Sequence, residues 1–281
     1  MTALHTPMKT LRIASVIVLL MNAAVASAAE DLRAGKNFIP TPVYTLEEDQ
    51  AILKAFEGLR VADVTDGLDA VGLFGRGMMD HGIKPVWRDT KEFKHRFIGI
   101  AVTARYVPTQ RPAPGLMKEA DYDAWAGKWY NELSSEPFKD LLRPGSALVL
   151  EDAPDGDVGS IGSANIMIWK QLGCVGVVTN AASRDTDEII TQQMPLYVRE
   201  KGRGIRPGRN EIESVNRPVV VGGALVMPGD VIVADGDGVI VVPRAHALKA
   251  AAYAHKILEG DKNARRDLYK QLGLPEDKSV K

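Results

Sequence analysis

The sequence predicts an α/β domain with a mixed β-sheet and helices at both ends. From residue 97 onward, short β-rich runs are separated by Gly and Pro, which is typical of successive strands. Segments with helical apolar spacing precede, interrupt and follow those runs. No repeat, low-complexity block or linker divides the chain, so we predict a single domain over residues 46–281.

The first 29 residues have the pattern of a secretory signal peptide. Lys9 and Arg12 precede the uncharged run Ile13–Val25, and small residues follow it. This order indicates cleavage after Ala28 or Ala29 and a periplasmic or secreted protein. A retained membrane anchor is the alternative, because the run approaches the roughly 20 residues that span a bilayer. The alanine-rich end favours cleavage, which leaves no membrane association afterwards.

Residues 30–45 are polar and punctuated by proline, so we predict an extended N-terminal arm that could wrap a neighbouring subunit. Thr45 and Glu48 form the pattern of a capping box, which opens a helix. A second short helix is predicted over residues 61–71, where three carboxylates recur at every third position. This spacing favours a solvated helical face, with a carboxylate cluster as the alternative: Asp63, Asp66 and Asp69.

At least six strands are predicted from seven apolar runs: Phe97–Val107, Ala147–Glu151, Val175–Thr179, Leu196–Arg199, Pro218–Val221, Val231–Ala234 and Val239–Val242. Helices are predicted at Ile161–Leu172 and Thr186–Gln193, on either side of the central strand. Met117–Leu142 is predicted to be helical with an aromatic face that belongs to the core or to an interface rather than to a ligand site. Arg244–Leu272 is predicted as an amphipathic helical region interrupted near Gly260.

Composition excludes several function classes. The 35 Lys and Arg balance 36 Asp and Glu, and no basic patch contains interleaved aromatics, so nucleic-acid binding is not expected. Cys174 is the only cysteine, which excludes an intramolecular disulfide and a cysteine-based metal site. The histidines show no zinc-binding spacing, which disfavours a zinc hydrolase: His81, His95, His246 and His255.

The segment from Gly173 to Ile189 is the most informative for function. A buried strand ends at Asn180, and Arg184 and Asp185 follow just before a predicted helix. Ligands bind at this position in open α/β sheets, because backbone N–H groups and the helix dipole converge there. Arg184 offers a planar fork for a carboxylate, and Asp185 offers an oxygen ligand for a divalent cation. A surface ion pair with Asp185 capping the helix is an equally good interpretation from position alone.

Two further segments accompany this motif. A Gly-rich turn at residues 156–165 leads into a helix, and its N–H groups could bind an anion, although it matches neither a P-loop nor a dinucleotide fingerprint. Residues 227–243 predict a hairpin around an Asp-Gly turn.

Together, these three segments resemble the family of the regulator of RNase E activity (RraA) and the metal-dependent 4-hydroxy-4-methyl-2-oxoglutarate/4-carboxy-4-hydroxy-2-oxoadipate aldolases. The stretch Asp66–Asp69 resembles that family's early helix, and residues 227–243 resemble its closing hairpin. The resemblance covers residues 59–272. It implies a layered β/β/α, swivelling-type domain and a homo-oligomer, a trimer or hexamer with sites at subunit junctions.

The resemblance also implies roles for individual residues. Arg184 would hold the pyruvyl carboxylate and the enolate oxygen, Asp185 would bind Mg²⁺ or Mn²⁺, and Glu188 would be the trailing acid of the motif. The glycine-rich turn and the strand end would supply the other substrate contacts: Gly159, Ile161, Gly162, Ser163 and Asn180. A neighbouring subunit's acid, with Glu259 as the candidate, would complete the pocket.

Two positions depart from the aldolase pattern. Ser163 stands where the aldolases carry an acid, and a serine cannot act as a carboxylate base at neutral pH. Asn180 stands where many members have aspartate. The sequence therefore predicts a metal-dependent carbon–carbon lyase acting on a small oxo acid. Its alternatives are a non-catalytic binding or regulatory protein, and a lyase or isomerase for another hydroxy or sugar acid.

Overall fold

The computed structural model describes residues 39–152 and 157–281. Its α-helices are α1 (Leu46–Phe56), α2 (Val61–Ala70), α3 (Glu119–Lys128), α4 (Ser163–Gln171), α5 (Thr186–Gln192) and α6 (Ala247–Leu272). A π-helix (Trp129–Leu133) and two 3₁₀ helices (Pro137–Leu141 and Arg244–His246) connect them. The strands are β1 (Lys84–Pro85), β2 (Phe97–Pro108), β3 (Ser146–Glu151), β4 (Gly159–Ile161), β5 (Cys174–Thr179), β6 (Ala182–Ser183), β7 (Leu196–Val198), β8 (Glu200–Lys201), β9 (Asn210–Val215), β10 (Val219–Val221), β11 (Ala224–Val226), β12 (Val231–Asp235) and β13 (Gly238–Val242).

The main sheet has eight strands and mixed directions. Its order is β1-β7-β5-β3-β2-β12-β13, and β9 pairs with the second half of β2. The central strands β2, β3, β5 and β7 are parallel, whereas β12, β13, β9 and β1 run antiparallel to their neighbours. This mixed sheet with flanking helices confirms the predicted fold class.

Side chains alternate between the two faces of this sheet, as the period of two in a strand requires. On one face, Ile100 packs with α1, α2 and α6, and Val102 packs with α4, α5 and the 3₁₀ turn that carries Phe138. On the other face, Phe97 and Ala101 pack against β10 and β11. The strands are thus buried on both faces, which explains why they read as nearly continuous apolar runs.

A single segment covers both edges of the sheet. Met78 forms a bridge with Ile240 of β13, and Lys84 and Pro85 pair with β7 at the opposite edge. The N–H of Val241 in β13 donates to Gly77, and the N–H of Val86 donates to Leu196 in β7, so part of each edge is paired and the sheet is nearly closed. An edge left open would be a template for pairing with another chain.

A second, small parallel sheet lies beside the main one, with the order β4-β6-β8. It pairs Gly159 with Ala182 and Ile161 with Ser183. Because parallel strands end at the same edge, the residues that follow β4 and β6 are neighbours. This small sheet brings the Gly-rich turn and the Arg184 segment together.

Several predicted elements differ in detail. α6 runs without interruption through Gly260, because one glycine in a 26-residue helix costs about 1 kcal/mol, too little to break it. Ile161 lies in β4 rather than at the start of α4, which begins at Ser163. The predicted strand at Pro218–Val221 is observed at Val219–Val221.

Only part of the predicted N-terminal organisation falls on residues that the structure describes. The signal peptide and residues 30–38 of the arm lie outside the described residues, and residues 41–45 contain no helix or strand before α1. Thr45 and Glu48 form the predicted capping box at the start of α1. Residues Thr41–Lys281 form one compact unit. Within residues 39–152 and 157–281, no helix combines the length and apolarity needed to cross a bilayer.

Candidate functional site

The candidate site is formed where β4 and β6 of the small sheet end. β4 leads through Gly162 into the N-terminus of α4, and β6 leads through Arg184 and Asp185 into α5. The backbone N–H of Arg184 donates to the carbonyl of Ile161 at 2.9 Å, which fixes the two loops side by side.

Arg184 lies over a glycine that leaves room for it. A Cβ atom on Gly159 would lie 2.6 Å from Cβ of Arg184, so no larger residue fits there without displacing the arginine. The Arg184 side chain is 37% exposed, and its Nε lies 3.6 Å from Oδ1 of Asp185. Its guanidinium is therefore open to solvent and can donate hydrogen bonds to the carboxylate of a ligand.

Asp185 adopts a left-handed backbone conformation, with φ of 55°. This conformation is uncommon outside glycine but is several times more frequent for Asp and Asn. Asp185 occupies the N-cap position of α5, yet its side chain makes no capping bond. The capping interpretation of Asp185 is therefore wrong: the left-handed turn aims its carboxylate across to α4 instead.

That carboxylate is held by Ser163. Oδ2 of Asp185 accepts from the backbone N–H of Ser163 at 3.1 Å and from its hydroxyl at 3.3 Å. The N–H of Gly162 donates to the side chain of Asn165 at 3.2 Å. Two of the turn's N–H groups, which the sequence suggested for an anionic ligand, thus bind groups of the protein itself.

The other predicted site residues are more dispersed. The side-chain oxygen of Asn180 accepts from the backbone N–H of Asp152 at 3.0 Å, so it ties the end of β5 to the end of β3. Glu188 is exposed on the first turn of α5. Glu259 is exposed on α6, which packs against α1 and α2, whereas Arg184 lies between α4 and α5. A role for Glu259 at the site would require a second copy of the chain.

A buried polar cluster next to the site was not predicted from the sequence. The amide of Asn210 donates to both carboxylate oxygens of Asp152 at 3.0 Å and lies 3.1 Å from the hydroxyl of Ser160, which also donates to Asp152. Asn210 is 2% exposed and Asp152 is 4% exposed. Because buried polar groups must be paired, this cluster holds β3, β4 and β9 in register.

A second buried cluster supports the Gly-rich turn. Glu136 accepts from Arg206 at 2.6 Å, from Asn165 at 2.7 Å and from the indole of Trp169 at 3.1 Å. Asn165 in turn accepts from the N–H of Gly162, so the first turn of α4 is anchored to a buried ion pair. No local sequence pattern predicts this cluster, because its members come from distant parts of the chain.

The aromatic segment is mainly structural. Trp129 is buried, and its indole N–H donates to the carbonyl of Asn210 at 2.9 Å. Trp125 packs between Tyr122 and Trp129 in tilted ring contacts, with ring centroids 5.7 and 5.6 Å away. Tyr122 remains 43% exposed at the outer end of this row.

The residues present fit a divalent cation only through Asp185. Among residues 39–152 and 157–281, no three His, Cys, Asp or Glu side chains come together as a metal cluster. Mg²⁺ commonly binds proteins through one or two carboxylates and keeps several waters. Among the described residues, Oδ1 of Asp185 accepts no hydrogen bond, so it suits that mode of binding.

These features define an α/β protein whose candidate binding loops follow two parallel strands of a small accessory sheet. The chain belongs to the RraA-like family, whose model, described as Aldolase/RraA, matches residues 61–241. The match confirms the resemblance seen in the sequence.

Two curated relatives are similar over part of their length. The chain is 26% identical over 213 residues to the protein DlpA of Legionella pneumophila, a match that covers 74% of this chain and 30% of DlpA. It is 31% identical over 123 residues to a provisionally named 4-hydroxy-4-methyl-2-oxoglutarate aldolase of Halalkalibacterium halodurans, covering 43% of this chain and 57% of the relative. The chain thus spans less than two thirds of either relative.

Solved structures show the same fold. An uncharacterized protein from Pseudomonas syringae pv. tomato has a TM-score of 0.60 and 24% identity, covering 85% of this chain and 97% of its own. RraAS2 from Streptomyces coelicolor, described as an unusual member of the RNase ES inhibitor RraA protein family, has a TM-score of 0.61 and 20% identity, covering 81% and 98%. At these identities, the likeness concerns the fold alone.

Proposed function

We propose that this protein is a metal-dependent carbon–carbon lyase acting on a small 2-oxo or hydroxy acid, of the class II pyruvate aldolase or oxaloacetate decarboxylase type. The observation that carries the proposal is the position of Arg184 and Asp185 side by side at the end of β6, against the turn that contains Ser163. A 2-oxo acid needs a fork for its carboxylate and a cation beside its carbonyl. Arg184 supplies the fork for the carboxylate, and Asp185 can hold the cation.

Each residue of the site has a defined task in this proposal. Arg184 binds the substrate carboxylate through its guanidinium and stabilises the negative charge that develops on the neighbouring oxygen. Asp185 would hold Mg²⁺ or Mn²⁺, which polarises the 2-oxo group when bound. Ser163 orients Asp185 and can hydrogen-bond a water, but it cannot take up a proton as a carboxylate does.

Turnover of an oxo-acid panel by the purified protein with Mg²⁺ or Mn²⁺ tests the proposal. We expect Asp185→Ala to abolish metal-dependent turnover and Arg184→Lys to lower it by about 10²–10³-fold, because the lysine keeps the charge but loses the fork. Arg184 is more than a third exposed, so Arg184→Lys should alter stability by about 1 kcal/mol or less. Asp185→Ala also loses the hydrogen bonds from Ser163 and leaves alanine in a left-handed conformation, so it should destabilise the protein by about 1–3 kcal/mol.

The matched control is Arg111→Lys. Arg111 is also an exposed arginine with a carboxylate partner, Glu211, at 3.1 Å, but it follows β2 and pairs with a residue of β9 rather than with a residue of the site. Its replacement should leave turnover unchanged. Wild-type turnover in both site variants would show that Arg184 and Asp185 take no part in the reaction.

A non-catalytic binding protein is the second candidate, and the specific observation in its favour is Ser163. The metal-dependent aldolases that the sequence resembles carry an acid at that position. Calorimetry with pyruvate or oxalate and Mg²⁺ separates the two: binding lost in Asp185→Ala, with no turnover of any oxo acid, supports the binding protein. Turnover of only a different hydroxy or sugar acid would indicate the third option, a lyase or isomerase with a reshaped pocket.

Export and self-assembly complete the proposal. The signal-like segment supports a periplasmic or secreted protein, and mass spectrometry of the mature chain from its host should show loss of the first 28 or 29 residues. An intact Met1 would contradict export.

We also propose that the protein is a homotrimer or homohexamer, in which Glu259 of a neighbouring copy approaches the site. We propose no nucleic-acid partner.

A further inference from the structure

A cavity with several cationic side chains in its wall lies at the start of β2. It has a volume of about 410 Å³ and is bounded by the loop before β2, by α6 and by the segment that follows α6. Five cationic side chains and one carboxylate line it: Arg60, Arg96, Lys262, Arg265, Lys278 and Glu92. None of these residues belongs to the Arg184 site.

Only two of these five cations have a carboxylate partner. Arg60 donates to Asp63 at 2.8 Å and to Asp261 at 3.0 Å. Lys278 lies 2.8 Å from Glu92. These two side chains are therefore largely neutralised by the protein itself.

The other three cations form no direct ion pair with an Asp or Glu side chain among the described residues. Lys262 donates to the main-chain oxygen of Lys281 at 3.0 Å. Arg265 donates to the carbonyl of Ser279 at 3.1 Å, a bond that fixes its side chain without cancelling its charge.

Arg96 forms no direct ion pair among the described residues, and Asp235 and Asp237 act on it only at longer range. Its guanidinium lies 3.8 Å from the ring centroid of Phe93 and, within the described chain, forms neither a hydrogen bond nor an ion pair. The Nε atoms of Arg96 and Arg265 are both buried without a hydrogen-bond partner. Burial lowers the pKa of Arg96. Leaving a buried donor unpaired costs free energy that a bound anion would recover.

The wall that carries Arg96 is already formed. The carboxylate of Asp89 accepts hydrogen bonds from the backbone N–H groups of Lys91, Glu92 and Lys94. Phe93 adopts a φ of 57°, an unfavourable conformation for a bulky residue, and its ring stacks on the guanidinium. The hydrogen bonds to Asp89 and the contact with Phe93 together fix the position of Arg96 in the cavity wall.

We propose that this cavity is a binding site for a small oxyanion that carries at least two negative charges. Arg96 and Arg265, whose Nε atoms lack a partner, would bind the anion with their guanidinium groups and supply two positive charges. The cavity lies within the roughly 300–1,000 Å³ of typical ligand sites. The site needs no metal, and it stands independently of the lyase proposal.

Calorimetry in the presence of EDTA tests this site, with inorganic pyrophosphate and citrate as probes for phosphate-bearing and polycarboxylate ligands. We expect saturable binding of at least one probe to the full protein, weakened roughly tenfold or more by Arg96→Gln and by Arg265→Gln. The probe that binds more tightly identifies the ligand class. Binding should also weaken with added salt, since charge attraction is screened.

Two control variants separate this site from general charge effects. Lys249→Gln and Lys270→Gln each remove one positive charge from α6 outside the cavity, and both should bind the probes as the wild type does. Thermal unfolding checks that the Arg96 and Arg265 variants are folded. Absence of binding by both probes, or equal losses in Lys270→Gln, would overturn the proposal.

Discussion

Ser163 makes the chemistry of the candidate site testable at the level of one side chain. Its hydroxyl and N–H hold the carboxylate of Asp185, so Ser163→Asp would place two carboxylates side by side. Like charges at this distance repel unless a cation lies between them. We expect Ser163→Asp to unfold at a lower temperature than the wild type in EDTA and to regain stability with Mg²⁺.

Thermal unfolding with and without Mg²⁺ measures this effect, and Ser163→Asn is the uncharged control. If the missing acid limits aldol chemistry, Ser163→Asp should also raise lyase turnover. A melting temperature of Ser163→Asp that does not respond to Mg²⁺ would argue against a cation at Asp185.

At the level of elements, two helical glycines should respond in opposite ways to the same substitution. Gly260 lies in α6 with no atom within 4 Å of the position of an added Cβ, and it has no positive φ. We therefore expect Gly260→Ala to stabilise the protein by about 0.5–1 kcal/mol, because alanine favours the helix.

Gly67 in α2 is the matched comparison. A Cβ there would collide with the backbone carbonyl of Ala250, where α2 and α6 are in contact. Gly67→Ala should therefore destabilise the protein by about 1–3 kcal/mol, as overpacking typically does. Denaturant unfolding measures both changes, and stabilisation by Gly67→Ala would show that the α2–α6 contact is looser than described.

For the whole molecule, the surface beside the site predicts self-association. α4 and α5, which carry Ser163 and follow Asp185, expose four apolar side chains: Met167, Ile168, Leu172 and Ile190. Apolar groups clustered on one surface favour an interface. We expect light scattering after size exclusion to give the mass of a trimer or hexamer.

Substitution of that surface provides the control. Ile168→Glu should shift the protein toward smaller species, whereas Leu225→Glu, an exposed apolar residue on β11, should not. A monomeric wild type at micromolar concentration would contradict the oligomer and, with it, the role of Glu259.

The sequence determined the elements of this protein with good accuracy. Strand β2, the β12–β13 hairpin and the capping box at Thr45 follow from patterns a few residues long, in which each residue's burial depends on its immediate neighbours. The Arg184-Asp185 pair was predicted at a strand end for the same reason. Short strands such as β4 and β6 were missed, because two or three residues contain no period to detect.

Only the tertiary structure decided how the polar groups pair. Asp185 lies 22 positions from Ser163, and Asn210 lies 58 positions from Asp152, so no local pattern connects the partners. The contact between α2 and α6 at Gly67 and Ala250 likewise joins positions that no local pattern connects. Burial periodicity is a property of one element, whereas the pairing of buried polar groups depends on which elements the complete fold brings together.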